Sequence, residues 1–359
     1  MSRETTVSSL RKVGKERDVL MAKDLLIRAL QGEQVAQIPW LPHIGTHAAQ
    51  LLGVSAQHYL QDADLLARGA LLCSDRYHSD GIPLLDDPSI EAMALGCTPH
   101  WSEQGPPSLI SAPLSKLAPE QLGEHLLSLP DETTGRWPTI IAAGAQLKSE
   151  LERRDVALVG LAAGPCTIAY QLRGMMLFSD LFRHPECASQ LFAYAGEICT
   201  ISARIYTEII GCDIVAIHDT AAIMLQPAYF QRYVLPNMQK ALQVIHRAGK
   251  TSSFWACGES VRVIRDMASS GVHSIAIDEC MALSYVGDIA REHHLGFIGN
   301  FHVTAALFDE TEEATIDVQR CIHEGKRFPG YVFGLGGPLT RHINPLRLDE
   351  TVTAFLHQG

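Results

Sequence analysis

The 359-residue sequence has few charged side chains and no long hydrophobic run. Asp, Glu, Lys and Arg make up 19% of it, below the share of about a quarter that is usual in globular proteins. No apolar run approaches the roughly 20 residues that a membrane-spanning helix needs. The formal net charge is −11, and no basic patch stands out. We therefore expect neither a membrane nor a nucleic acid as a partner.

Paired cysteines and an N-terminal targeting segment are also missing. The nine cysteines are widely spaced, and no CxxC pair occurs. The first residues, "MSRETTVSSLRKVGKERDVL", lack the apolar core of a signal peptide. We expect free thiols in a reducing cytoplasm. Apolar residues are abundant, at 47% of the sequence, which is enough for the core of one large domain spanning residues 1–359.

Short apolar runs alternate with amphipathic segments along most of the chain. The segment "YFQRYVLPNMQKALQVIHRAG" repeats apolar residues every three or four positions, which predicts a helix. Apolar strands joined by helices are typical of a parallel sheet buried on both faces. Eight predicted strands indicate a (β/α)8 barrel, with an open doubly wound sheet as the alternative. The predicted strands are 38–42, 80–87, 156–165, 214–220, 251–258, 273–280, 296–302 and 331–337.

Two parts of the chain do not fit this repeat. Residues 1–35 are predicted to form an N-terminal helical extension, because an amphipathic segment, "AKDLLIRALQGE", precedes the first strand. Residues 97–150 are rich in Pro and Ser over "GPPSLISAPLSK" and "PDETTGRWPT". We interpret 97–150 as an insertion between the second and third barrel strands.

Polar residues follow nearly every predicted strand. In a (β/α)8 barrel the carboxyl ends of the strands form the face that carries the active site, so these residues are expected to gather there. Other roles stay open: His43 and His47 fit ordinary loop histidines equally well, and one of Asp86 and Asp87 is expected to cap the next helix. The candidates are His43, His47, Asp86, Asp87, Gln171, His218, Asp219, Thr220, Cys257, Glu279, His302, Gly336 and Gly337.

Several sequence blocks together resemble the uroporphyrinogen decarboxylase superfamily. They are "DGIPLLDDPSIEAMALGC", "GLAAGPCTIAYQLRG", "IHDTAAIMLQPAYFQRYVLPNMQKAL", "WACGES" and "GFIGNFHVTAAL". The resemblance extends from about residue 25 to the end and implies a (β/α)8 barrel. It also implies one of two activities: cofactor-free decarboxylation of uroporphyrinogen, or methyl transfer to or from a corrinoid, often with zinc activating a thiol.

The decarboxylase pattern is only partly present. Its aspartate falls on Asp87, but its arginine block "RQAGRY" is replaced by "LPHIGTH". Arginine forks suit substrate carboxylates as histidine does not. The family's tyrosine falls on Gln171, its serine on Thr220 and its late histidine on Gly337. These departures weigh against a porphyrinogen substrate.

The methyltransferase pattern is closer in "EAMALGC" and "WACG". Its zinc ligands are a His-x-Cys pair after the fifth strand and a cysteine after the eighth. Cys257 matches, but Trp255 holds the histidine position and no cysteine follows Cys321. Zinc usually has three protein ligands at a catalytic site, so the expected set is incomplete and a metal-free site stays open.

We therefore expect a corrinoid-dependent methyltransferase of this superfamily, acting on a small methylated donor or acceptor. The chain lacks the DxHxxG motif of corrinoid-binding domains, so the corrinoid (cobalamin) is expected on a separate protein or free. The alternatives are a decarboxylase and a non-catalytic tetrapyrrole- or corrinoid-binding barrel, and the resemblance implies a monomer or homodimer. The expected roles are catalysis by Asp87, Asp219, Glu279 and His302, metal binding by Cys257, and substrate binding by His43, His47, Gln171, His218, Thr220, Gly336 and Gly337.

Overall fold

The computed structural model describes residues 22–304 and 313–359, and within them eight strands form one parallel sheet. Each predicted strand is confirmed, and helices surround the sheet as a (β/α)8 barrel requires. A separate antiparallel pair lies between the second and third barrel strands. The strands are β1 Trp40–Leu41, β2 Gly81–Pro83, β3 Pro99–His100, β4 Ser108–Leu109, β5 Ala157–Ala163, β6 Ile214–His218, β7 Thr251–Trp255, β8 Ser274–Ala276, β9 Gly296–Phe301 and β10 Tyr331–Leu335.

The barrel is nearly closed. Its strand order is β1-β10-β9-β8-β7-β6-β5-β2, with every neighbouring pair parallel. The remaining seam, between β1 and β2, is bridged by Asp80. Its backbone N–H donates to the carbonyl of Trp40 at 3.0 Å, and its carboxylate accepts the N–H of Trp40 at 2.6 Å. All eight carboxyl ends therefore lie on one face.

The helices lie outside the strands and divide the core into two layers. The helices are Ala22–Leu30, His47–Leu52, Ala56–Gln61, Ala63–Tyr77, Ile90–Ala94, Trp137–Arg154, Pro165–Arg173, Met176–Arg183, Pro185–Arg204, Pro227–Tyr229, Leu235–Arg247, Ile264–Ala268, Leu283–His293, Glu313–Gly325 and Pro345–Gln358. Apolar side chains fill the space between them and the sheet, and a smaller cluster fills the barrel interior. In the predicted helix after β6, Phe230, Val234, Met238 and Ile245 are buried. Across the described residues, no helix is long and apolar enough to span a bilayer.

The helix Ala22–Leu30 covers the amino ends of the strands. Its Leu26, Ala29 and Leu30 join the interior cluster, with Ile214 and Val332 among their partners. This part of the predicted N-terminal extension is therefore a helix that closes the bottom of the barrel. Residues 1–21 of the extension lie outside the described residues.

The predicted insertion divides into two parts. Residues 97–136 leave the barrel repeat and contain the β3–β4 pair, whereas Trp137–Arg154 is a helix that leads into β5. Two arginines fasten the first part to the barrel. Arg136 pairs with Asp87 and also donates to the carbonyl of Leu60. Arg173 donates to the carbonyls of Leu114 and Leu117.

Candidate active site

A cleft opens at the carboxyl face of the barrel, as the sequence pattern predicts. It encloses about 360 Å³ including its open mouth. A few polar groups interrupt a mainly apolar wall, as in many small-molecule sites. The cleft is lined by Leu41, His43, His218, Trp255, Ala256, Cys257, Ala276, Ile277, Asp278, Ile298, Leu335, Gly336 and Gly337.

Asp86 lies directly behind the cleft, between two histidines. Its Oδ2 is 2.8 Å from Nε2 of His43, and its Oδ1 is 3.8 Å from Nδ1 of His218. Burial disfavours the carboxylate, but the charges of the neighbouring His43 and His218 outweigh it. The pKa of Asp86 is consequently held below its ordinary value. Asp86 therefore joins two imidazoles, one following β1 and one at the end of β6, through one ionised group.

Cys257 adds a thiol to the cluster of Asp86, His43 and His218, and it lines the cleft. Its Sγ lies 3.5 Å from Nε2 of His218. Burial, reinforced by the charges of Asp86 and Asp278, raises the pKa of the Cys257 thiol to about 12. Burial also lowers the pKa of His218 to about 4, against the opposing charge of Asp86. Near neutral pH the cleft therefore presents a neutral thiol beside a neutral imidazole.

Trp255 forms the floor of the cleft at the position where the zinc-binding pattern has histidine. Its indole N–H donates to the hydroxyl of Ser253 inside the barrel, at 2.9 Å. The Trp255 ring meets the ring of His43 edge-on, with centroids 4.9 Å apart. Within the described residues, no group of three His, Cys, Asp or Glu side chains could hold a metal ion. Among the described residues the zinc ligand set is therefore not assembled, and Sγ of Cys257 lies near Nε2 of His218.

Two predicted catalytic aspartates lie outside the cleft lining and have structural partners. Asp219 is fully buried, and its carboxylate accepts the N–H groups of Cys166 and Thr167 at 3.0 and 2.7 Å. It thereby fixes the start of the helix after β5, next to the cleft. Asp87 accepts the N–H of Ser89 at 2.9 Å and pairs with Arg136. A catalytic role for either residue stays a prediction.

Four other predicted site residues also lie away from the cleft lining. His47 is buried against the hydroxyl of Tyr77 at 2.7 Å, and burial lowers the pKa of His47 to about 4. Glu279 accepts the N–H of Thr304 at 3.0 Å. Nδ1 of His302 is 3.5 Å from Asp317. The hydroxyl of Thr220 lies 3.3 Å from that of Thr167, beside Asp219.

Gln171 lines a second surface pocket. This pocket lies between the helix Pro165–Arg173 and the β3–β4 region, and Leu109 and Ile110 form part of its wall. The side-chain nitrogen of Gln171 donates to the carbonyl of Pro88 at 3.1 Å, while its oxygen is buried without a hydrogen-bond partner. Of the predicted site residues, the structure brings together His43, His218, Cys257, Gly336 and Gly337.

Comparison with known proteins assigns the family. The family model described as uroporphyrinogen decarboxylase (URO-D) matches residues 21–356. This chain belongs to the uroporphyrinogen decarboxylase family. The match covers nearly the whole chain, including every strand of the barrel.

Relatives within the uroporphyrinogen decarboxylase family include both kinds of enzyme. The chain is 22% identical to the methylcobamide:CoM methyltransferase MtbA of Methanosarcina mazei over 299 residues, covering 81% of this chain and 85% of that protein. It is 24% identical to the uroporphyrinogen decarboxylase of a Nocardioides species over 358 residues, covering 94% and 99%. A solved structure of a methyltransferase from Methanosarcina mazei matches with a TM-score of 0.82, 19% identity and coverage of 93% and 98%, which confirms the barrel fold.

Among the candidates from the sequence, Asp86 has no assigned catalytic or binding role, and Asp278 is absent. A local signal distinguishes Asp86 from Asp87: Asp87 accepts the N–H two residues later, in an Asx turn. That hydrogen bond holds the Asp87 carboxylate in the turn, whereas the Asp86 carboxylate faces the two cleft histidines. The same signal would fail for Asp278, which accepts the N–H of Cys280 and still lines the cleft. Asp278 is recognised as a cleft residue only from the geometry of the barrel.

The two cleft glycines after β10 should respond differently to substitution. A Cβ at Gly336 would lie 2.5 Å from the backbone N of Glu279, whereas a Cβ at Gly337 would meet nothing within 4 Å. Gly336→Ala is expected to lower the free energy of unfolding by about 1–3 kcal/mol, because the packed backbone must shift. Gly337→Ala is the matched control and should leave stability near wild type. Urea unfolding of both variants measures the difference, and equal stability would contradict the close packing.

Glu91 should make stability depend on pH. It is fully buried, and burial raises the pKa of its carboxyl to about 7 against the opposing effect of the N–H of Ala163, which donates to it. Because the folded pKa exceeds the unfolded value of 4.5, this contribution is present at low pH and is lost as pH rises through 7.

The isosteric variant Glu91→Gln tests this dependence. Between pH 5 and 8 it should remove about 3 kcal/mol of the decline in unfolding free energy that wild type shows. Urea titrations at several pH values measure it, with the exposed Glu103→Gln as control. Parallel profiles for wild type and Glu91→Gln would contradict the assignment.

Proposed function

We propose that this family member transfers a methyl group between a corrinoid and a small methylated substrate or thiol. The observation that carries the proposal is the character of the cleft wall. Within the described residues it contains two histidines, one thiol and one aspartate, and neither lysine nor arginine. A porphyrinogen with many carboxylates needs cationic anchors, which Arg supplies best. A small methylated compound needs apolar contact and correct alignment, which this wall can provide.

The corrinoid enters this proposal as a substrate. The enclosed space of the cleft is small, about 30 Å³, so the substrate would be reached from the open mouth and the corrinoid would present its cobalt there. It would arrive on a separate protein or as free cobalamin. In-line attack then requires the methyl donor or the acceptor thiol to be held against the mouth, and His43, His218 and Cys257 are the polar groups placed to hold it.

The named relatives support the methyl-transfer branch without excluding the other. MtbA is named as a methylcobamide:CoM methyltransferase, and its identity to this chain equals that of several decarboxylases within a few per cent. The decarboxylase alternative is less favoured because this chain lacks the arginine block of that pattern. A non-catalytic binding barrel is the third alternative, and it predicts ligand binding without turnover.

Cys257→Ala is expected to reduce kcat/KM for methyl transfer by about 100-fold, the loss that follows from misplacing a reacting group. The assay follows conversion between cob(I)alamin and methylcobalamin by absorbance, with methylated donors and thiol acceptors supplied in turn. Cys187→Ala is the matched control, because Cys187 is a free cysteine on the helix Pro185–Arg204, outside the cleft lining. Equal loss in both variants, or none in Cys257→Ala, would contradict a place for this thiol at the reacting centre.

A further inference from the structure

Negative charge is concentrated at the cleft. Asp278 lines it and Asp86 lies directly behind the two histidines. The N–H groups of Gly258 and Cys280 donate to the Asp278 carboxylate at 2.8 and 3.1 Å, as is usual for an ionised carboxylate. Since the described wall carries no lysine or arginine, only histidine could offset these charges.

Aromatic rings stand beside this charge. The ring of Trp255 meets the rings of His43 and His218, with centroids 4.9 and 6.4 Å apart. All three side chains line the cleft. Electron-rich rings attract cations, Trp most strongly, and a carboxylate near the same space adds to that attraction. Aromatic rings combined with carboxylates are the chemistry that recognises methylated organic cations.

We propose that the methyl donor is a small organic cation that carries its methyl group on positively charged nitrogen or sulfur. This inference rests on the proposed function and names its substrate class. The space beside Trp255 and Asp278 holds the cationic head, with the methyl group directed to the mouth. The apolar wall of Leu41, Ile298 and Leu335 contacts the remaining carbon atoms.

The transfer step balances without a proton donor. The electron pair of cobalt(I) in the corrinoid forms the new cobalt–carbon bond as the carbon–nitrogen or carbon–sulfur bond breaks. The pair of the broken bond stays on nitrogen or sulfur, which leaves as a neutral amine or thioether. The methylated corrinoid is formally cobalt(III). A methoxy donor would instead release an alkoxide that must be protonated. A cationic donor therefore needs no proton donor in the cleft wall.

Binding to the purified protein without corrinoid tests the inference. Calorimetric titration compares choline, its neutral carbon isostere 3,3-dimethyl-1-butanol and the anion pivalate. We expect choline to bind at least tenfold tighter than either. Asp278→Asn should weaken choline binding by about tenfold and leave the neutral isostere unchanged. The control is Asp288→Asn, because the Asp288 side chain is 61% exposed on the helix Leu283–His293.

Several outcomes would overturn the inference: choline that does not bind, pivalate or the alcohol binding as tightly as choline, or equal effects of the two Asn variants. The wild-type comparison of three ligands stands even where a variant fails to fold. Cobalamin assays separate this inference from the proposed function. Methylation of cob(I)alamin by methoxy compounds alone would contradict a cationic methyl donor and still support methyl transfer as the function. Choline binding with no methylation of cob(I)alamin by any donor would support the cation site and contradict the proposed methyl transfer.

Discussion

Asp86→Asn is expected to lower kcat/KM for methyl transfer by about 100-fold, more through kcat than through KM. The Asp86 carboxylate lies 2.8 Å from Nε2 of His43 and 3.8 Å from Nδ1 of His218. The two carboxylate oxygens of Asp86 each face one imidazole, whereas an amide carries no charge and has a single acceptor oxygen. The two rings would lose their common orientation, and misplacement of about 1 Å at a reacting centre costs on the order of 100-fold.

The role assigned to Asp86 is positioning, so its test needs a second readout. The charge of Asp86 raises the pKa of His218 against the effect of burial. Its removal should therefore keep His218 neutral to lower pH than in wild type, which NMR titration of the imidazole measures. Asp75→Asn is the control, since the Asp75 side chain is 57% exposed and pairs with Arg154. An Asp86→Asn variant with normal kcat, or an unchanged His218 titration, would contradict the arrangement.

Arg173→Met is expected to lower the free energy of unfolding by about 3–5 kcal/mol, the loss typical of breaking a buried ion pair from one side. Nε of Arg173 donates to Asp180 at 2.6 Å, and both side chains are almost wholly buried. The same guanidinium donates to the carbonyls of Leu114 and Leu117. The substitution would leave the Asp180 charge and both carbonyls without this partner.

Urea unfolding measures this loss, and two further variants interpret it. Arg153→Met removes an arginine whose side chain is 70% exposed, and it should change stability by less than about 0.5 kcal/mol. The double variant Arg173→Met/Asp180→Leu should recover part of the loss, because no buried charge remains unpaired. A loss in Arg173→Met no larger than in Arg153→Met would show that Arg173 does not fasten residues 97–136 to the barrel.

The barrel could be predicted from the sequence because its strands are buried on both faces. Such strands leave continuous apolar runs, and "VALVGLAAGP" and "TSSFWACG" correspond to β5 and β7. The limits of residues 97–150 were harder to place. Trp137–Arg154 begins just after a Pro- and Gly-containing stretch, and that composition hides the helical pattern which leads into β5.

The site was only partly predictable, because the side-chain direction is fixed by the strand only up to its last residue. β2 ends at Pro83, and the turn beyond it directs Asp86 to the cleft and Asp87 to Arg136. His47 shows a different limit. It opens a helix whose packing against Tyr77 is a tertiary contact, which no local pattern reports.

The most direct test of the account compares two reactions on one preparation of the protein. Uroporphyrinogen is supplied in one reaction, and its products are separated by chromatography. Cob(I)alamin with methylated donors is supplied in the other, and formation of methylcobalamin is followed by absorbance. The cleft without lysine or arginine predicts methylcobalamin formation that depends on Cys257 and no conversion of uroporphyrinogen. Coproporphyrinogen as a product, with cobalamin unchanged, would contradict the account.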